Sequence, residues 1–164
     1  MLKKILFYLL IPCFTACSVS PESAPTPEPD SIPVELTTQS GGQQVFFEGD
    51  EIQFLLSLGS DAYIYMYHID ARNKLLQILP SDRQLDNHYR SGYFLTIPEY
   101  QPHYRFRVKP PFGEQTIWIF ASDHSLDLDI EVNDESIESI RRDIKQASRK
   151  AYGEYELKLM TRKR

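Results

Sequence analysis

The strongest constraint in this 164-residue chain is a two-residue rhythm: short runs alternate apolar and polar side chains, and Gly, Pro, Asn or Asp cuts most of them off. Successive side chains of a strand point to opposite faces, so such runs suit sheets with one buried face and fit a helix poorly. In Glu51–Leu58 the residues Ile52, Phe54, Leu56 and Leu58 share one side, behind a turn at Glu48-Gly49-Asp50. Further strands are predicted over Ala62–Ile69, over Lys74–Leu79 up to Pro80, and over Tyr93–Ile97 up to Pro98. Tyr104–Lys109 alternates three apolar residues with three cations. Gln115–Ala121 holds Trp118, the only Trp, in a nearly continuous apolar run and reads as a central strand. Leu126, Leu128, Ile130 and Val132 alternate with acids and predict another strand.

Towards the C-terminus the period changes. Ile137, Ile140, Ile144, Ala147 and Ala151 fall on one face of a helix, with Asn133 or Asp134 expected as its N-cap and Gly153 as its stop. Glu154–Thr161 returns to alternation through Tyr155, Leu157 and Leu159. These elements predict a mainly β fold, an Ig-like β-sandwich with one C-terminal amphipathic helix and a final strand. The apolar helix face would close one open end or face of it.

The N-terminus carries a different kind of signal. Lys3 and Lys4 precede an apolar run from Ile5 to Ile11, the layout of a secretory signal peptide and far short of the ~20 residues that span a bilayer. Phe14-Thr15-Ala16-Cys17 resembles the lipobox of bacterial lipoproteins, with Phe14 where Leu is commoner. That resemblance implies a diacylglyceryl group on the Cys17 sulfur, cleavage between Ala16 and Cys17, and acylation of the new amino terminus. Two or three acyl chains anchor a protein stably where one chain is marginal. Ser18, rather than Asp, implies an outer-membrane lipoprotein of the cell envelope that faces the periplasm. Cys13, directly behind Pro12, is the poorer site, and a plain secretory leader cut after Ala16 or Ala24 is the alternative. Pro21, Pro25, Pro27, Pro29 and Pro33 then predict an extended tether, although Val34–Thr38 could add an edge strand. The expected organisation is a signal peptide at 1–16, lipidated Cys17 with a Pro-rich tether at 17–42, and a head at 43–164.

A net charge of −5 disfavours sequence-independent nucleic-acid binding, which needs many phosphate contacts from Lys and Arg. Both cysteines, Cys13 and Cys17, precede the head, so it holds neither disulfide nor thiol nucleophile. The charge is unevenly spread: Arg141–Arg164 holds nine Lys and Arg against Asp143, Glu154 and Glu156. That end could meet an acidic partner or lipid head groups, but a solvated amphipathic helix accounts for it as well.

A series of motifs resembles the bacterial domain of unknown function 4384 (DUF4384) family. It consists of Gly49-Asp50, Ser60-Asp61-Ala62-Tyr63-Ile64-Tyr65 with Asp70, Leu79-Pro80, Asp86-Asn87, Ile97-Pro98 and Pro110-Pro111-Phe112-Gly113. Asn73 stands where the family often has Gly, and Asn tolerates the same turn. The resemblance covers about residues 45 to 122 and implies an envelope or lipoprotein module, sometimes joined to enzymes, with no common activity.

Each motif also reads as structure: turns at Gly49-Asp50 and Asp86-Asn87, and a stiff loop at Pro110–Gly113. Tyr63, Tyr65 and Tyr67 share a face, and Tyr89, Tyr93, Tyr100 and Tyr104 follow. Such a stripe could stack sugar rings or a peptide at a solvent edge, or pack half-buried with its hydroxyls wet. Tyr63, Tyr65, Tyr67, Tyr89 and Tyr93 are the candidate ligand or partner surface. His68, His88, His103 and His124 show no metal-ligand spacing, and Asp127-x-Asp129 and Asp82-x₃-Asp86 lack the density of a calcium loop. No nucleophile elbow and no phosphate loop is present; paired carboxylates stay open, as in any acidic β domain. No cofactor, metal or catalytic residue is assigned. The chain therefore reads as a non-enzymatic, lipid-anchored envelope protein that docks on a protein partner and sits at the membrane through Cys17. The alternative is a module that binds cell-wall glycan or peptide through the Tyr-rich face.

Overall fold

A computed structural model describes residues 31–41, 45–97, 105–128 and 136–164. In chain order its elements are β1 (Val34–Thr38), β2 (Val45–Phe47), β3 (Glu51–Ile52), β4 (Phe54–Leu58), β5 (Ala62–Ile69), β6 (Leu75–Leu79), β7 (His88–Tyr89), β8 (Leu95–Ile97), β9 (Phe106–Arg107), β10 (Gly113–Ser122), α1 (Ile137–Ala147) and β11 (Tyr152–Arg162). The larger sheet has the order β2-β11-β10-β5-β6, with β7 beside the start of β5; the smaller has the order β1-β4-β8; β3 and β9 form a ribbon. All pairs are antiparallel except β2 with β11.

Strand alternation divides the larger sheet into two chemically distinct faces. Ile64, Met66, Ile117, Ile119, Leu157 and Leu159 meet Leu36, Phe54, Leu56 and Ile97 of the smaller sheet in one buried cluster, which is the core of the sandwich. On the opposite face Tyr65, Tyr67 and Phe120 pack with Ile140 and Ile144 of α1, flanked by Trp118 and Tyr152. The molecule is mainly β: a sandwich with one helix on its outer face and a long final strand. Trp118 lies in a central strand, as its apolar run predicts.

Several boundaries differ from the sequence reading. The fold takes in Ser31 and β1, with Ile32, Val34 and Leu36 buried, so the head begins inside the stretch taken for tether. Three apolar residues at period two outweighed the prolines around them. Glu51–Leu58 is interrupted at Gln53, whose carbonyl and N–H both bond Gln39, and so it serves the ribbon and the smaller sheet in turn. The helix is capped by Ser136, whose Oγ accepts the Ser139 N–H at 3.2 Å. Gly153 does not stop it but lies in β11, where a Cβ would stand 2.2 Å from the Ile32 carbonyl oxygen; only glycine admits that approach. Ala151 packs with the sandwich core and not on the helix face. Leu126 and Leu128 form no strand; they pack at the side of the helix cluster. Of Arg105–Lys109, the described part of the run from Tyr104, Phe106–Arg107 is a strand. Cys13, Cys17, Tyr100, His103, Tyr104, Ile130, Val132, Asn133 and Asp134 lie outside the described residues, as does most of the expected tether.

Candidate functional site

The five tyrosines put forward as one surface are separated by the fold. Tyr65 and Tyr67 are buried beneath α1, Tyr89 is buried in the sandwich core, and Tyr63 is half-buried with its ring 4.7 Å from that of His88. The solvent-edged stripe therefore does not form, because Ile140 and Ile144 cover the face on which it would lie. The Tyr65 hydroxyl accepts the Leu126 N–H at 2.6 Å and so holds the following loop against the sheet. Tyr93 alone of the five is open to solvent, at 78% exposure.

A polar network locks the helix onto this face. Glu154 of β11 accepts the Tyr152 hydroxyl at 2.5 Å and Arg141 Nε at 2.6 Å, and it also pairs with Arg141 Nη2. The Arg141 guanidinium lies 5.7 Å from the centre of the Trp118 ring, and Lys145 Nζ lies 5.8 Å from that of Tyr152. Burial acts to raise the Glu154 carboxyl, but the hydrogen bonds from Arg141 and Tyr152 prevail and hold it below its usual range. Burial and the Glu154 carboxylate push the Tyr152 phenol well up. The arrangement clamps two elements together, and both of its charges are spent internally.

The motif residues are locks of a similar kind. Asp50 Oδ2 accepts the Phe47 N–H, and Gly49 has φ +89°. Asp70 Oδ1 accepts the N–H groups of Arg72 and Lys74 around Asn73, at φ 61°, so Asn does fill the turn position. Buried Asn87 bonds both the N–H and the carbonyl of Ile64. Asp61 Oδ1 accepts the N–H and the hydroxyl of Ser91 at 2.8 and 3.0 Å. Motifs at turns and loop bases thus carry architecture and leave the surface to other residues.

The Asp61–Ser91 lock fixes the base of a loop that holds out two adjacent aromatics, Tyr93 and Phe94, the latter 75% exposed. Phe94 extends β8 to a position opposite Ser57, given the pairing of Leu95 with Leu56, and it lines a shallow hollow of about 200 Å³ with Glu35, Thr37 and Leu55. Leu85, on the loop before β7, is 78% exposed. Sequence reasoning missed Phe94 and Leu85. Its one available signal was that two neighbouring aromatics in a strand cannot both face the core. Nothing in sequence could pair Asp61 with Ser91.

Two concave regions lie elsewhere. An open cleft of about 640 Å³ runs between Ser31–Val34 and the end of α1, with Lys145, Arg149 and Lys150 on its helix side. A smaller apolar cavity of about 240 Å³ lies at the other end of the sandwich, among Phe54, Leu76, Ile78, Phe106, Ile117 and Leu159, with His68, Gln115 and Lys109 at its polar edge. Gln115 Nε2 donates to the Pro111 carbonyl and to Thr161 Oγ1, so its Oε1 faces His68 Nε2 at 2.9 Å, and the imidazole donates. Burial draws the His68 pKa below its usual 6.5 and keeps the ring neutral. Among the described residues no group of three or more His, Cys, Asp or Glu could hold a metal ion, and no helix is long and apolar enough to cross a membrane.

No curated protein and no solved structure matches the chain. Residues 45–125, which run from β2 to just past β10 and hold the motif locks at Asp50, Asp61, Asp70 and Asn87, match the family profile described as Domain of unknown function (DUF4384). Through that stretch the chain is similar to this family.

Proposed function

We propose that the protein is a lipid-anchored component of the bacterial cell envelope, held to the outer membrane through Cys17 and facing the periplasm, which docks on a partner protein and carries out no reaction of its own. One observation carries the docking half of this reading: Tyr93 and Phe94 stand in solvent side by side on a loop fixed at its base by Asp61. Aromatic residues are the usual anchors of protein interfaces, and a fixed loop loses little freedom when a partner covers it. Asp50, Asp61 and Asp70 are engaged at turns and a loop base, and Arg141, Tyr152 and Glu154 in the α1 clamp. The anchoring half rests on the leader and on Phe14-Thr15-Ala16-Cys17.

Docking is tested by placing a photo-crosslinking amino acid at position 93 in cells. A discrete protein adduct that Phe94→Asp abolishes is expected; lipid adducts alone, or none, would end the proposal. Anchoring is tested by labelled fatty acid, which should enter the wild type and not Cys17→Ser. The glycan alternative keeps only Tyr93 of its surface and predicts sedimentation of the protein with isolated cell wall, weakened by Tyr93→Ala.

A further inference from the structure

The four outer strands of the two sheets are not equally protected. Natural sheets blunt their edges by shortness, charge or proline, because an open row of N–H and C=O groups invites another strand. Edge strands β2 and β8 have three residues each, and β1 carries exposed Glu35 as its second residue. The fourth, β6, reads Leu75-Leu76-Gln77-Ile78-Leu79, five residues with no charge and no proline, and Leu76 is 42% exposed. Among the described residues no strand pairs with its outer side.

The apolar cavity lies directly against this edge, since Leu76 and Ile78 form part of its wall. A strand added to β6 would run ~4.8 Å away with every second side chain on the face of Leu76 and Ile78, over the cavity mouth. At about 240 Å³ the cavity falls below the ~300–1,000 Å³ of ordinary small-molecule sites and suits one large apolar side chain. The charged groups around it lean positive: Arg72 and Lys74 precede β6, and Arg107 and Lys109 line the cavity, against Asp70 and Glu51. Both acids are engaged, Asp70 by two backbone N–H groups and Glu51 by Arg105 and Arg107. β5 runs away from the end where Ser31 enters the fold, so the cavity beyond Ile69 is at the far end from the incoming N-terminal chain.

We propose that β6 accepts an extended, acidic segment of a partner protein as an additional strand, with one large apolar side chain of that segment lodged in the cavity beneath Leu76 and Ile78. Main-chain hydrogen bonds would supply affinity and the cavity specificity, the usual division of labour in strand addition. This inference needs neither the lipid anchor nor the Tyr93 surface.

The test selects a random twelve-residue peptide library on the full-length protein carrying Cys17→Ser, with Leu76→Lys and Lys109→Glu variants run in parallel after their thermal unfolding is matched to the parent. Enriched peptides should be acidic around a large apolar residue, should lose at least tenfold in affinity on Leu76→Lys, and should relax their acidic preference on Lys109→Glu. In nuclear magnetic resonance they should shift the amides of Leu75–Leu79 and the methyl groups of Ile78 and Ile117. Peptides that bind Leu76→Lys equally well, that map to another surface, or that fail to enrich overturn the proposal. So does a concentration-dependent dimer of the parent that Leu76→Lys dissolves, since the occupant would then be a second copy.

Discussion

On the face of the larger sheet that meets β1, β4 and β8, the strands present Ile64, Met66, Ile117, Ile119 and Leu157; on the face beneath α1 the same strands present Tyr65, Tyr67, Trp118, Phe120 and Tyr152. The first face packs against another sheet, where branched aliphatic side chains from both layers interdigitate in a core ~10 Å thick. The second receives a helix, and flat rings make a broad platform for it: Trp118 and Phe120 lie stacked with centroids 5.8 Å apart, and Phe120 and Tyr152 stack at 6.4 Å. Polar tips distinguish them further. The aliphatic face is held by burial, which has no direction, whereas the aromatic face adds directed bonds, from the Leu126 N–H to the Tyr65 hydroxyl and from the Tyr152 hydroxyl to Glu154. A tyrosine-rich run in sequence can thus be a landing surface for a helix as readily as a surface for ligands.

The largest expected effect comes from the centre of the platform. Phe120→Ala should cost about 3–5 kcal/mol, measured by denaturant unfolding, because the ring is fully buried between Trp118, Tyr67 and Tyr152. Ile144→Ala, also fully buried but on the helix side, should cost about 2–4 kcal/mol. It also separates the two faces: hydrogen exchange should quicken in α1 while the amides of β4 keep their protection. Equal loss in both elements would show that the faces open as one unit. Tyr65→Phe should cost about 1 kcal/mol, since it removes one hydrogen bond and leaves the Leu126 N–H without that acceptor.

The smallest effect is in the pH profile, and it reads each face separately. Burial lowers the His68 pKa from 6.5, so its contribution is complete above 6.5 and declines as the pH falls below that value. Glu154 is held below 4.5, so its contribution is complete above 4.5 and is lost as the pH falls further. His68→Gln should flatten the upper descent and leave the lower one, and Glu154→Gln should do the reverse. Part of the lower limb persists in Glu154→Gln, because burial is outweighed at Asp70 by backbone N–H donors and at Asp123 by the His124 ring together with backbone N–H donors, which hold both below 3.8. Stability measured from pH 7 to pH 3 in both variants checks the assignment.

Period two was a sound guide wherever a strand has one aliphatic face: Phe54, Leu56 and Leu58, and equally Leu157 and Leu159, lie buried as their spacing implies. It gave no warning that the other face of β5 is buried too, since tyrosine suits both water and a packed layer and its spacing does not separate the two. The short-range caps were also hard to read. Ser136 holds the helix start although Asn133 and Asp134 are equally good cap residues by type, and Gly153 resembles a helix stop but is required by a backbone 121 residues earlier in the chain, at Ile32. At the candidate surface, Tyr93 was legible as an aromatic near a turn. Its presentation depends on Asp61 and Ser91 meeting across 30 residues, a contact that no local pattern encodes.

Strand β11 completes the larger sheet from outside the stretch that defines the family. It pairs with β10 from Tyr152 to Thr161 and with β2 at Val45–Phe47, so residues 45–125 supply both neighbours of β11 and leave a slot between them, the two walls ~10 Å apart. The chain is divisible there in the manner of a split protein. A chain ending before Tyr152 would be a lock lacking its bolt, and the peptide Tyr152–Arg164, supplied separately, carries the complete register of that bolt.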